Sequence, residues 1–505
     1  MPDNHLFDAI RSALPGLEAI FIETHDGRVL TYGDMLSMSA HLAHVLATRG
    51  VKPGDRVAAQ VEKSAEALML YLACVRCGAV YLPLNTGYTL AELDYFFNDA
   101  KPALIVVSPH NAQKLADTVR GCGAVLETLD EAGGGSLMGA AQGAPAQFSD
   151  VRRGSGDLAA ILYTSGTTGR SKGAMLSHDN LLSNALTLRE SWRFTAGDRL
   201  IHALPVFHTH GLFVATNTIL VSGASMFLLP KFDPDAIVER LPRSTVLMGV
   251  PTFYVRLAQD ARVNRDSTAG MRLFISGSAP LLAETHETFR ARTGHAILER
   301  YGMTETNMNT SNPYDGERIA GTVGFPLPGV DIRVVDIDSG AVLHAGETGM
   351  LEVRGPNVFQ GYWNMPDKTK AEFRDDGFFI TGDLGLIDER GYVHIVGRGK
   401  DLVISGGYNI YPREIESEID RLDGVLESAV IGVPHGDLGE GVTAVVVPRS
   451  GAALREDEIV AALGDRLARY KLPRRIVIVD ELPRNTMGKV QKNLLRDTYK
   501  DLYTP

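Results

Sequence analysis

The segment Leu162-Tyr-Thr-Ser-Gly-Thr-Thr-Gly-Arg-Ser-Lys-Gly173 concentrates the groups that hold an anion. Gly166, Gly169 and Gly173 let the backbone bend until its N–H groups converge, as in anion-binding nests. Thr164, Ser165, Thr167 and Thr168 add hydroxyl donors, and Lys172 adds a point charge. Together they suit the β- and γ-phosphates of a nucleotide. The spacing Gly166-x-x-Gly169-x-x-Lys172 lacks the Ser or Thr that follows the lysine of a Walker A loop, so this is a different phosphate-binding solution. A flexible surface linker is the competing reading. The apolar run 158–162 abuts the segment more tightly than disordered linkers usually follow a strand, which favours the phosphate loop.

Other short segments carry compatible chemistry: Tyr301-Gly-Met-Thr-Glu305, Thr381-Gly-Asp383, Gly397-Arg-Gly-Lys-Asp401 and Pro483-Arg-Asn-Thr-Met-Gly-Lys489. Each is weak by itself, as a turn or a solvated loop would use the same residues. Their order over more than 300 residues is the stronger observation. His208-Thr-His210 reads as a strand with both imidazoles on one face, but no third metal ligand follows at suitable spacing.

The elements that must position these groups are partly legible. Apolar runs at 57–61, 103–107, 158–162, 245–249 and 271–275 read as buried strands, with amphipathic helices at 64–77 and 179–191 between them. This alternation predicts α/β layers with largely parallel sheets. From about 323 the texture changes to short strands punctuated by Gly and Pro, at 330–335, 349–354 and 391–396. Beyond Gly397 come a helix at 412–422, strands at 426–433 and 441–447, and a basic end. The predicted fold is therefore a large N-terminal domain (1–397, with a β-rich subdomain at about 323–397) and a small α+β C-terminal domain (398–505).

The chain has 505 residues and a net charge of −11, which argues against nonspecific binding to nucleic acid or to an anionic membrane. Between Arg466 and Arg496, however, nine basic residues face two acidic ones, a balance that favours a small anionic ligand. Three cysteines fit a reducing compartment, and Cys74 and Cys77 read as core residues on one helix face. The first residues show no basic-then-apolar signal pattern, and no apolar run approaches the ~20 residues of a membrane span. A cytoplasmic location is the expectation.

Taken with their order, these motifs resemble the acyl- and aryl-CoA synthetases of the adenylate-forming superfamily over roughly residues 20–500. Segments 202–212, 276–282 and 299–313 look most like the malonyl-CoA synthetases. The resemblance implies two half-reactions: a carboxylate and ATP give an acyl-adenylate and pyrophosphate, then the thiol of coenzyme A displaces AMP. It assigns pyrophosphate to the 164–172 loop, the α-phosphate to Thr304, and Mg²⁺ to Glu305 with Thr168, because a hard cation prefers oxygen ligands. Tyr301 would stack on adenine beside Ser278 and Ala279, and Asp383 with Arg398 would hold the ribose. Lys489 would neutralise charge as the carboxylate attacks phosphorus. Lys400 would be the hinge about which the C-terminal domain turns between the half-reactions. Many relatives carry lysines after this hinge where the chain has Ile404-Ser-Gly-Gly-Tyr408, so contacts for the thioester step must come from elsewhere. The resemblance also implies silencing of Lys489 through acetylation, with a lysine acetyltransferase and deacetylase as partners.

A dicarboxylic substrate poses a further problem, because its distal carboxylate must be sequestered beside a fixed cation. Arg256 is the first candidate for that bidentate partner, ahead of Arg300, whose alternative is an ion pair with Glu299 or Asp383. His208 would gate the acyl and thiol channels, His210 would donate to the distal carboxylate, and Thr209 and Met308 would limit the space at C2. The predicted activity is malonate–CoA ligation. The alternatives are a ligase for methylmalonate or another small acid, and a module that loads a carrier protein.

Overall fold

The computed structural model describes residues 3–164, 171–405, 408–464, 466–485 and 488–503. Two compact units emerge: residues up to 331 together with 353–379, and residues 332–352 together with 380–505. The expected division at 397 does not coincide with this one. The β-rich segment is split: 332–352 and 380–397 group with the C-terminal residues, while 323–331 and 353–379 group with the first unit.

The first unit holds two large sheets. One has six strands in the order Val125–Thr128, Leu104–Val107, Arg56–Gln60, Val80–Pro83, Leu158–Thr164, Lys172–Ser177. Its neighbours run parallel except the last, which turns back as an antiparallel hairpin with Thr164 opposite Lys172. The nine-stranded sheet has a parallel centre, including Leu273–Ser276 and Leu298–Met303, and antiparallel edges at Asn307–Ser311 and Val29–Thr31. Parallel strands are buried on both faces, which is why these segments are continuous apolar runs. The helix Ala65–Cys77 is buried along its whole length. Ser64 caps it by accepting from the Ala67 N–H, and Gly78 ends it in the left-handed region. Cys74 and Cys77 lie buried in this helix as expected, and burial raises both thiols, Cys77 to about 11. Among the described residues no helix is long and apolar enough to cross a membrane.

The second unit holds a four-stranded sheet ending in the antiparallel pair Phe379–Ile387 and Val393–Arg398, and a five-stranded sheet built on the long hairpin Val425–His435 and Gly439–Pro448. The helix Pro412–Ile419 places Ile415 and Ile419 in the core of the second sheet. Asp420 caps its C-terminal end, accepting from Ser428 Oγ at 2.8 Å with Arg413 Nη1 at 3.9 Å. Burial pushes the Asp420 carboxyl up to about 7; Ser428 and Arg413 pull it down, and Glu416 and Glu427 push it further up. Its folded pKa exceeds its unfolded value, so its favourable contribution is complete below about pH 4 and is lost as pH rises to about 7. Above that, the buried carboxylate costs on the order of a few kcal/mol. Asp420→Asn should therefore raise the melting temperature more at pH 8 than at pH 5. Equal shifts at the two pH values would show that the carboxylate is not the destabilising group.

Candidate functional site

The hairpin Leu158–Thr164/Lys172–Ser177 presents both flanks of the glycine-rich segment; Ser165, Gly166, Thr167, Thr168 and Gly169 lie outside the described residues. Thr164 Oγ1 lies 3.4 Å from Glu305 Oε1, joining this hairpin to the antiparallel pair Leu298–Met303/Asn307–Ser311 of the other sheet. Thr304 and Glu305 form the turn of that pair, Thr304 half-buried and Glu305 buried. The turn is tight: a Cβ on Gly302 would fall 1.8 Å from the Asn307 carbonyl oxygen, so only glycine fits. Lys172 is buried and does not stand alone. Its ammonium donates to Tyr362 Oη at 3.1 Å and lies 3.5 Å from Glu372 Oε1. Neither Tyr362 nor Glu372 was singled out by the motifs. A buried carboxylate beside a threonine hydroxyl is the oxygen-donor set a magnesium ion takes, so Glu305 and Thr164 fit that cation.

Of the acyl-pocket candidates, Thr209 and Met308 lie beside the same turn, Thr209 bonded to Asn307 and Met308 on the strand Asn307–Ser311. His208, Thr209 and His210 are not on a strand. They enter a turn of π-helix, His210–Ala215, a local widening that recurs at functional sites. The segment is held from behind by a residue outside the motifs. Lys63 Nζ donates to His202 Nδ1 at 2.9 Å and to the carbonyls of His202 and Leu204 at 2.8 Å. His202 Nε2 in turn lies 2.9 Å from the Gly211 carbonyl. Thr209 Oγ1 donates to Asn307 Oδ1 at 2.9 Å, and Met308 follows directly, buried against Gly302. Thr209 is thus tied to the residue that precedes Met308. His208 is half-buried, its Nδ1 accepting from the His210 N–H at 3.4 Å. Among the described residues no cluster of three metal-ligating side chains occurs.

The two arginines have opposite surroundings. Arg256 is exposed on the helix Pro251–Gln259, its guanidinium 5.7 Å from the centre of the Phe232 ring. Phe253, Tyr254, Leu257 and Ala258 form that helix's buried face, which turns Arg256 outward. Arg300 is 3 % exposed, and its Nε and Nη2 have no hydrogen-bond partner among the described residues. The two acids proposed as its partners are engaged elsewhere, Glu299 3.6 Å from His286 and Asp383 2.8 Å from Arg398. Gly277 makes room for it: a Cβ there would lie 2.4 Å from Arg300 Cζ. Burial pushes Arg300 down to about 9, so it is still a cation at neutral pH. His210, fully buried, accepts from or donates to Ser278 Oγ at 3.2 Å through Nδ1, and its Nε2 has no partner. Burial first, then the charge of Arg300, lowers His210 far below its ordinary value and keeps it neutral. Of the two arginines expected to compete for a distal carboxylate, Arg300 is the buried cation and Arg256 the exposed one.

The nucleotide candidates follow the same strands. Tyr301 is largely buried on Leu298–Met303, and Ser278 and Ala279 are half-buried just beyond Leu273–Ser276, Ser278 with φ +72°. In the second unit, Asp383 and Arg398 face each other across the antiparallel pair, buried carboxylate to guanidinium. Lys400 is exposed in the turn Gly399–Asp401, whose Asp401 pairs with Arg496 at 2.6 Å. Lys489 is exposed on a short hairpin loop, its backbone N–H donating to Asn485 Oδ1 at 3.0 Å.

The AMP-binding enzyme family matches residues 10–363, and the AMP-binding enzyme C-terminal domain matches residues 414–489. The crystal structure of ATP-bound MatB from Rhodopseudomonas palustris superposes with a TM-score of 0.98 at 61% identity over 100% of both chains. A malonate–CoA ligase of Arabidopsis thaliana is 33% identical over 99% of this chain and 91% of its own length. A feruloyl-CoA synthase of an Amycolatopsis species is 36% identical over 94% of each chain. With the adenylate-forming fold in place and both family models matched, the chain belongs to the AMP-binding enzyme family, as an AMP-forming acid–thiol ligase.

Proposed function

We propose that this chain is a malonate–CoA ligase that makes malonyl-CoA, AMP and diphosphate from malonate, ATP and coenzyme A. One malonate oxygen attacks the α-phosphorus, and the bond to the β-phosphate breaks as pyrophosphate leaves. The coenzyme A thiol then loses its proton, its sulfur attacks the acyl carbon, and AMP departs. The observation that carries the choice of acid is Arg300, a buried guanidinium with no carboxylate partner among the described residues. A dicarboxylate supplies the missing anion, with His210 as an added donor. Malonate also agrees with the names of the MatB and Arabidopsis relatives.

In this reading Lys172, Thr164 and Glu305 serve the polyphosphate end, and Thr304 serves the α-phosphate. Magnesium, held by Glu305, would neutralise charge on the departing pyrophosphate. Tyr301, Ser278 and Ala279 bind adenine, while Asp383 and Arg398 bind ribose. Lys489 acts in adenylation, and residues 398–505 pivot at Lys400 between the half-reactions. Acetylation of Lys489 would switch off the first half-reaction alone. We place the enzyme in the cytoplasm, acting on small molecules; its net charge of −11 disfavours nonspecific binding to nucleic acid or an anionic membrane.

A panel of mono- and dicarboxylic acids, scored for pyrophosphate release with and without coenzyme A, tests the substrate. Malonate should lead by at least about tenfold in kcat/KM over acetate or an aromatic acid, since a site built around one charge rejects an acid that leaves it unpaired. Methylmalonate should follow within about 200-fold, because one methyl is worth only about 1–3 kcal/mol. Preference for a monocarboxylate would overturn the assignment.

A further inference from the structure

The residues around Lys172 include two to which no part of the reaction has been assigned. The segment 360–363 runs along the strand Lys172–Ser177, with the Met175 N–H donating to the Gly361 carbonyl at 3.0 Å and the Trp363 N–H to the Gly173 carbonyl at 2.7 Å. This pairing delivers Tyr362 to the side of Lys172. The lysine donates to the phenol oxygen at 3.1 Å. The phenol hydroxyl has Glu372 Oε2 at 2.7 Å and Glu305 Oε1 at 3.1 Å. A phenol has one proton to give, so it goes to the nearer carboxylate and leaves Glu305 more available as an acceptor. Lys368 completes the group at 2.6 Å from Glu372 Oε1.

The Tyr362 phenol thus stands between the Lys172 ammonium and the two carboxylates, within hydrogen-bond reach of all three. Burial alone would raise Glu372, but Lys368, Tyr362 and the charge of Lys172 bring it below its ordinary value, so it remains an anion. The cluster therefore brings Lys172 and Lys368 together with Glu305, Glu372 and the Tyr362 phenol. Any polyphosphate that engages Lys172 must do so against Glu372.

We propose that Tyr362 and Glu372 are positioning residues for the polyphosphate end of the nucleotide: Tyr362 fixes Lys172 relative to Glu305, and Glu372 is the internal anion that pyrophosphate displaces from Lys172 on binding and that reclaims it on release. This rests on the nucleotide part of the proposed function and not on the identity of the acid. AMP has no β- or γ-phosphate, so its affinity should not depend on either residue.

Calorimetric binding of ATP, pyrophosphate and AMP in magnesium buffer, with no acid present, tests this. Glu372→Gln keeps the shape and removes the competing charge, so pyrophosphate should bind about fivefold tighter, a gain typical of one partly buried ion pair. Tyr362→Phe loses the phenol that orients Lys172, so ATP and pyrophosphate should bind about tenfold weaker, with AMP unchanged within about twofold. Unchanged or weaker pyrophosphate binding by Glu372→Gln overturns the proposal, as does a loss of AMP affinity in Tyr362→Phe equal to that of ATP. Wild-type protein that binds neither ATP nor pyrophosphate would instead overturn the nucleotide reading itself.

Discussion

Arg300→Met should lower kcat/KM for malonate by about 10²–10³-fold and leave a short monocarboxylate such as acetate nearly unaffected. The lost partner of the distal carboxylate is a buried cation, and removing one member of such a pair strands the other charge. The same variant should leave the ligand-free protein no less stable, and more stable if the methionine packs well. In the free protein the guanidinium is buried without a carboxylate. A structural ion pair predicts the reverse sign, so melting curves without substrate separate the two roles. Arg256→Ala, which removes an exposed side chain lying over Phe232, should change malonate kinetics by no more than about twofold. Equal losses on malonate and acetate in Arg300→Met would return Arg300 to the scaffold.

Lys489→Ala should abolish adenylation, with pyrophosphate release falling by about 10²–10³-fold, the usual cost of removing one donor to a charge that develops in the transition state. Thioester formation from supplied malonyl-adenylate should persist within about threefold, because Lys489 is assigned no part in the second half-reaction. Protein acetylated fully at Lys489 should behave as the alanine variant does, since both lose the charge. Equal loss of the two half-reactions would refute the separation of roles. The loop's own geometry makes the alanine variant a fair test. Lys489 is exposed, and its turn is held by backbone contacts to Asn485 that alanine retains.

Much of this architecture was legible in the sequence, and the residues that escaped have identifiable reasons. Strands such as Leu104–Val107 and the helix Ala65–Cys77 appear where apolar runs and a serine cap place them, because their signals are local. The antiparallel return of Lys172–Ser177 was hidden, since a strand that begins in a polar loop has no clean apolar start. Tyr362 and Glu372 reach Lys172 only through chain pairing across nearly 200 residues, for which sequence carries no periodic signature. The arginine choice is different. The helical spacing of Phe253, Tyr254, Leu257 and Ala258 turns Arg256 to solvent, so its exposure is legible in the sequence, whereas the burial of Arg300 depends on the packing of Gly277 against it.

The contact between Gly277 and Arg300 has a consequence for how such an enzyme changes its diet. A methyl group at 277 would fall 2.4 Å from Arg300 Cζ, so Gly277→Ala is expected to be harmful while the arginine remains and tolerated once a shorter residue replaces it. The two positions form a one-way ratchet. A lineage that first loses Arg300 is free to fill position 277, and once it is filled, the arginine alone can no longer return to its place.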